Sequence, residues 1–176
     1  TSTKSRTLSA AIFGEGPNRK SSLGPMVHEY YGVGRNGFGT CSMQFALHYV
    51  WSGPRELQGF LRNVAETTAQ DGFFIGTCFD GDKLFQFLRS KNEGESVRYM
   101  DGDTKLWELT KRYDRDTYAP DASCLGYAVD VFQESINKSF REFLVNPGYL
   151  TRLLENYGFA PATLEEAKAM GLPRAM

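Results

Sequence analysis

An excess of positive charge is absent from this chain: 20 Lys and Arg stand against 21 Asp and Glu, for a formal net charge of −1. No general field therefore draws in a phosphate backbone, and any contact with nucleic acid has to be local. Cysteine is scarce. Cys41, Cys78 and Cys124 are an odd set without CxxC spacing, so they read as reduced, buried thiols of an intracellular protein rather than as a disulfide framework. His28 and His48 are the only histidines, too few and too scattered for a zinc site, and no metal is expected. Long apolar runs are missing too. Nothing approaches the roughly 20 residues that cross a bilayer, and the opening TSTKSRTLSAAIF lacks the pattern of a cleaved signal, so no membrane partner is expected. Internal repeats and low-complexity segments are likewise absent.

What is present is enough for a core, since 41% of the 176 residues are hydrophobic and 14% aromatic, and the length suits one domain. Residues 14–40 are rich in Gly, Pro, Ser and Asn, which suits connecting loops, so 1–40 is expected to be a loop-rich lead-in. The run TCSMQFALHYVW, with Met43, Phe45, Leu47 and Tyr49 alternating, predicts a buried strand that emerges into a functional loop. Ser52 and Pro54 then start a helix with Leu57, Phe60, Leu61 and Val64 on its buried face, ended by Gln70-Asp71-Gly72, and FFIGTCF follows as an apolar strand. Strand, helix and strand of these lengths predict a parallel βαβ unit. Asp82 is the expected cap of a further helix with Leu84, Phe85, Phe87 and Leu88 as its stripe, completing a βαβα core over 41–90.

Residues 91–146 read as β-rich: VRYM pairs with KLWELTKRY across DGDT, and GYAVDVF pairs with SFREFLV. Two helices fill 147–176. Asn146-Pro147 opens the first, with Leu150, Leu153, Leu154 and Tyr157 on one side and Gly158 as its stop. Thr163 and Glu166 form the capping box of the second, closed by Gly171 and Pro173.

Gly32-Val33-Gly34-Arg35-Asn36-Gly37 matches the GxGxxG pattern of dinucleotide-binding turns. That turn needs a strand before it and a helix after it, so that a helix N-terminus meets the anion. Here the glycines follow a loop and precede a strand, and a plain loop is the better reading.

Gln44-Phe45-Ala46-Leu47-His48-Tyr49 is similar to the fourth-strand motif of the mRNA cap guanine-N7 methyltransferases, particularly those of large DNA viruses. LRNVAETTAQDGFFIGTCFDG resembles the helix and fifth strand of that family, and SFREFLV resembles its later cap-contacting strand. The resemblance runs from about Leu8 to Leu172, with these three patches diagnostic. It implies an α/β protein of the Rossmann-like class I S-adenosylmethionine-dependent methyltransferase fold, with 91–146 as a cap-binding insertion. It also implies intracellular action, in the nucleus or cytoplasm, or in the host cytoplasm or virion for a viral protein.

By this resemblance Gln44 and Tyr49 contact S-adenosylmethionine, the implied cofactor, while His48 and Glu142 contact the cap guanine of a GpppN mRNA 5′ end. A carboxylate suits the adjacent N1–H and amine donors of guanine, and an imidazole can both donate to a purine and pack on its face. Phe45 and Phe79 would shape the cap pocket. Phe79 stands where many relatives carry proline in a GTTPD-like segment, and either ring can cover a purine face. Taken one at a time, Gln44 reads equally as a satisfied buried amide, Tyr49 as a core aromatic, and Glu142 as a surface charge beside Arg141.

The implied reaction transfers a methyl group from a sulfonium to guanine N7, whose lone pair is already free, so no catalytic acid, base or nucleophile is expected. Holding the reactants in line can supply roughly 7–11 kcal/mol. Four parts of the family pattern are lacking: a strand with a DxGxGxG-like turn before Gln44, the acidic residue for the ribose that follows it, the aspartate whose place Gly39 takes, and the C-terminal strand with the last cap-contacting tyrosine, which is expected beyond Met176. The expectation is therefore a partial methyltransferase domain, incomplete at both ends, inactive alone, and partnered by a missing N-terminal half and by other capping-enzyme domains. A non-catalytic stimulatory subunit of a capping enzyme is the alternative. A nucleotide-dependent oxidoreductase rests only on the glycine pattern.

Overall fold

The computed structural model describes residues 3–171, a mixed α/β chain. Pro173 and the rest of the GLPRAM ending after Gly171 lie outside the described residues. The chain divides into two compact units: Thr1–Met43 with Asn63–Gly76, and Gln44–Arg62 with Thr77–Met176.

In the first unit, helix α1 (Thr3–Ile12) stops at Gly14, whose φ of +77° is open to glycine at little cost. Two short helices follow, α2 (Lys20–Leu23) and α3 (Pro25–Glu29), so the segment expected to be loops is partly helical. The glycine-rich segment after them is no anion cradle. Its N–H groups are consumed internally: Gly32 donates to Ala11 O at 2.8 Å, Gly34 to Ile12 O at 2.9 Å, and Gly37 to Gly34 O at 2.9 Å. Strand β1 (Phe38–Gln44), not a helix, comes next.

β1 pairs with β2 (Thr68–Thr77), and helix α5 (Pro54–Thr67) lies between them in sequence. Gly37 meets Ala69 and Gly39 meets Gly72, so position advances along both strands together and the pair is parallel. Gly37 has φ +77° and lies so close to Ala69 that a Cβ would sit 2.6 Å from its nitrogen, which leaves room only for hydrogen. The predicted βαβ order is therefore present. Its limits differ from the expectation at three points. Gly53 rather than Ser52 precedes α5, its carbonyl accepting from Leu57 N–H at 3.2 Å. The helix ends at Thr67, where Thr67 and Thr68 hydroxyls donate to the carbonyls of Asn63 and Val64 at 2.7 Å each, and Asp71 at φ +60° lies within the strand. β1 itself is largely exposed, because β2 is its one neighbour in the sheet and a two-stranded ribbon buries little.

In the second unit, β3 (Ser96–Asp101), β4 (Thr104–Arg112), β5 (Ala128–Gln133) and β6 (Lys138–Phe143) form an antiparallel sheet in chain order. Both predicted hairpins are found. The register sets Val97, Leu109, Val131 and Phe140 in one row, and the pleat puts them all on one face. Helix α6 (Gly81–Phe87) packs Phe85, with the following Leu88, against that face among Tyr113, Tyr127, Val129, Val131 and Leu144. Asp80, not Asp82, caps α6 by accepting from Lys83 N–H at 3.1 Å, and Phe87 points outward at 50% exposure. Asp82 instead accepts from Asn146 Nδ2 at 3.0 Å, while Asn146 Oδ1 caps helix α7 (Pro147–Glu155) as predicted. Helix α8 (Leu164–Ala169) carries the predicted Thr163/Glu166 capping box.

The opposite face of the sheet is ionic. Arg98 pairs with Glu108, and Asp130 accepts from Arg112 at 2.6 Å and Arg141 at 2.9 Å. Lys105 sits over the Phe132 ring at 4.0 Å.

Candidate functional site

The site grows from the place where β1 stops. Phe45 takes φ +48°, a left-handed conformation unusual for a bulky side chain, and breaks the strand. The break is held by Phe45 N–H, which donates to Thr77 O at 2.9 Å, and by the Thr77 hydroxyl, which donates to Gln44 Oε1 at 2.9 Å. A single helical turn, α4 (Leu47–Val50), follows where continued strand was expected. Helical spacing, not strand alternation, thus sorts the motif: Leu47 and His48 are buried and Tyr49 is 51% exposed.

Strand β6 supplies the facing wall. Its period of two turns Lys138, Phe140 and Glu142 to one side and Arg141 to the other, where Arg141 joins Asp130. Phe79, between β2 and α6, is anchored by a parallel bridge of Asp80 with Val145 and by Gly81 N–H donating to Val145 O at 2.9 Å.

A cavity of about 450 Å³ lies among these elements, lined by Phe45, His48, Tyr49, Phe79 and Glu142. Five of the six residues singled out in the sequence therefore share one cavity, and all five belong to one compact unit. Gln44 is not in its lining and spends its amide oxygen on Thr77. Val131, Gln133, Ile136, Lys138 and Phe140 complete the wall and were missed in the sequence. Lys138 and Phe140 were within reach, because they stand four and two residues before Glu142 on a recognisable strand.

His48 Nδ1 lies 3.6 Å from Glu142 Oε2, near enough to attract but beyond a good hydrogen bond. Burial works against that attraction, lowering the imidazole pKa and raising that of the carboxyl, so that both groups are pushed toward neutrality. With no hydrogen bond joining them, desolvation is the larger effect. Neither ring nitrogen of His48 has a hydrogen-bond partner although the residue is only 6% exposed. An orphaned buried polar group costs about 1–3 kcal/mol, which a ligand with complementary groups would remove. The His48 ring meets that of Tyr49 edge to face at 4.2 Å, and Tyr49, Phe45 and Phe79 give the opening an aromatic rim. A flat ring bearing donors on one edge matches this combination of carboxyl, imidazole and aromatic walls.

Among the described residues no group of three His, Cys, Asp or Glu is placed to hold a metal ion, and no helix is long and apolar enough to cross a membrane. The cysteines are unpaired: Cys124 is buried, while Cys41 and Cys78 are half-buried rather than fully enclosed.

The family described as the mRNA (guanine-N(7))-methyltransferase domain matches residues 3–166, and the chain belongs to that family. It is similar to a protein of Acanthamoeba polyphaga mimivirus named "Probable mRNA-capping enzyme", with 31% identity over 126 residues, 68% of this chain and 10% of that protein. It is also 42% identical over 52 residues to the "mRNA cap guanine-N(7) methyltransferase 1" of Oryza sativa subsp. japonica, 30% of this chain and 14% of that one. These matches thus span only a small part of each relative.

Proposed function

We propose that the cavity binds the guanine of a GpppRNA cap and that the protein transfers a methyl group from S-adenosylmethionine to guanine N7. The carrying observation is the juxtaposition of Glu142 and His48 on the buried wall of an aromatic-rimmed cavity, in a chain of this family. In this reading Glu142 accepts from the guanine N1–H and amine, the unpartnered His48 bonds the purine, and Phe45 and Phe79 cover its faces. N7 acquires positive charge as it is alkylated, and the Glu142 carboxylate in a poorly solvated site favours that charge. No proton has to leave N7, so these residues orient and stabilise rather than transfer protons.

S-adenosylmethionine, when bound, supplies the electrophilic methyl group. The exposed Tyr49 phenol and the strand end at Gln44 fit one edge of such a molecule. The glycine segment at 32–37 does not fit the rest, since its N–H groups are already bonded. We infer that the chain is part of a Rossmann-like class I methyltransferase domain, whose remaining cofactor contacts come from sequence outside it. Other capping-enzyme domains are natural neighbours.

Incubating the intact protein with GpppRNA and methyl-labelled S-adenosylmethionine should give labelled N7-methylguanosine on nuclease digestion. Label confined to ribose 2′-oxygens would refute the assignment. Cap binding without methylation, coupled to stimulation of a separate enzyme, would instead establish the subunit reading.

A further inference from the structure

A second cavity, of about 510 Å³, adjoins the first on the same sheet face and shares Phe79, Val131 and Gln133 with it. Its distinctive wall is Trp107, in register with Gln133 across β4 and β5. Trp107 stacks on Tyr99 at a centroid distance of 6.2 Å and an interplanar angle of 16°, a contact that helps hold the indole in place. Lys138, cross-strand from Gln133, stands on the first cavity's lining at the border of the two. Glu134 and Ser135 also line the second.

We propose that this second cavity is a subsite for the base of the RNA's first nucleotide, the residue joined to the cap guanosine through phosphates. The inference rests on the cap reading of the first cavity. The shared wall means that two flat groups on one flexible polar linker occupy both cavities at once. The linker passes Lys138, whose ammonium suits a phosphate. Glu134 repels phosphate and accepts from base N–H groups, which places a base rather than a phosphate in the second cavity. An indole face binds any base by stacking, so the subsite selects for the presence of a nucleotide more than for its identity. Its size lies within the roughly 300–1,000 Å³ of small-molecule sites.

The intact protein is titrated with GTP, which offers one base, and with GpppA, which offers two, following tryptophan emission and measuring both affinities. GpppA should bind at least tenfold more tightly than GTP. It should quench an emission component that is missing from Trp107→Phe, Trp51 being fully buried. Trp107→Ala should bring the affinity ratio close to one, while Trp107→Phe, which keeps a stacking ring, should preserve most of it. Equal affinities for the two ligands in the unaltered protein, or a ratio indifferent to Trp107→Ala, overturns the subsite and leaves the cap reading standing. Failure of both ligands to bind overturns the cap reading, and this inference with it.

Discussion

One face of the four-stranded sheet has two ends that differ in what covers them. At one end the chain's own aromatics do: Phe85 stacks on Tyr113 at 5.9 Å and on Tyr118 at 5.3 Å, and Tyr118 O–H donates to Leu144 O at 2.8 Å. There the Tyr118 and Tyr127 hydroxyls donate to backbone carbonyls, while that of Tyr113 is buried without a hydrogen-bond partner and burial pushes its pKa up to about 12. At the other end the aromatics stand open. Phe45, Phe79 and Phe140 are 64%, 43% and 41% exposed around the Glu142 carboxyl and an imidazole whose ring nitrogens have no hydrogen-bond partner. The same strands thus build a closed core and an open aromatic surface, and the difference lies in how far the rings are covered by one another.

The largest effect belongs to the closed end. Phe85→Ala should cost about 3–5 kcal/mol of stability in urea unfolding, the range for deleting a buried phenyl ring. A loss below about 1 kcal/mol would mean that this end is not the core.

At the open end the balance should invert. Glu142→Gln should lower kcat/KM for capped RNA by at least tenfold, or about 1.4–3 kcal/mol, with cofactor affinity by calorimetry unchanged. Stability should rise instead, by up to about 1 kcal/mol, because a largely buried carboxyl without a hydrogen-bonded cation is replaced by a neutral amide. Since burial raises the Glu142 pKa, its folded value lies above the unfolded one. It therefore weakens the fold as pH rises through that window, whereas the carboxylate that the cap reading requires is lost as pH falls through the folded value. The wild-type kcat/KM should show an acid limb displaced above the usual carboxylate range, and Glu142→Gln should lack it.

The helical turn of α4 sharpens the contrast between neighbours in one motif. His48→Ala should reduce kcat/KM for capped RNA about tenfold without moving cofactor affinity, whereas Tyr49→Ala, on the exposed side of the turn, should weaken cofactor binding as well. Normal methylation by both His48→Ala and Glu142→Gln would make these residues structural.

Much of this was legible in advance, for reasons that differ between the two ends. Strand periodicity and turn residues located both hairpins, and the alternation that puts Glu142 on one face and Arg141 on the other is intrinsic to a pleat. The motif residues were found as a set by resemblance, but their geometry was misread. Alternating apolar residues through Tyr49 look like a strand, and nothing local announces that Phe45 takes a positive φ. That conformation depends on Thr77, 32 residues away, which holds the break through backbone and hydroxyl. The lining residues Val131, Gln133 and Ile136 are hidden in the sequence for a related reason, because cavities form between segments distant in sequence. Conversely, that a strand and not a helix follows the GxGxxG pattern is local information, and β1 stands there.

Phe45 allows the strain at the open end to be measured. A left-handed φ on a bulky residue costs on the order of 1–2 kcal/mol, and at 64% exposure the ring recovers little of that by burial. Phe45→Gly should therefore unfold at a higher temperature while binding capped RNA more weakly. A fall in both would show that the ring is needed for packing.

The smallest effect is expected on the ionic face, which serves as the reference for the other. Asp130 accepts from two arginines, and the Arg141 hydrogen bonds, ahead of those from Arg112, hold its carboxyl below the usual carboxylate range. A folded pKa below the unfolded one adds stability that is present above the unfolded value and is lost as pH falls through the folded one. Asp130→Asn should accordingly cost about 0.2–1 kcal/mol at neutral pH, an amount typical of exposed pairs, and the difference should shrink in high salt and vanish in strong acid. Methylation should be unchanged, because Arg141 and Glu142 are adjacent in sequence yet point to opposite sides of the strand. A drop in kcat/KM comparable with that of Glu142→Gln would mean that the two faces are coupled through β6, and that the ionic ladder positions the carboxyl rather than merely solvating the sheet.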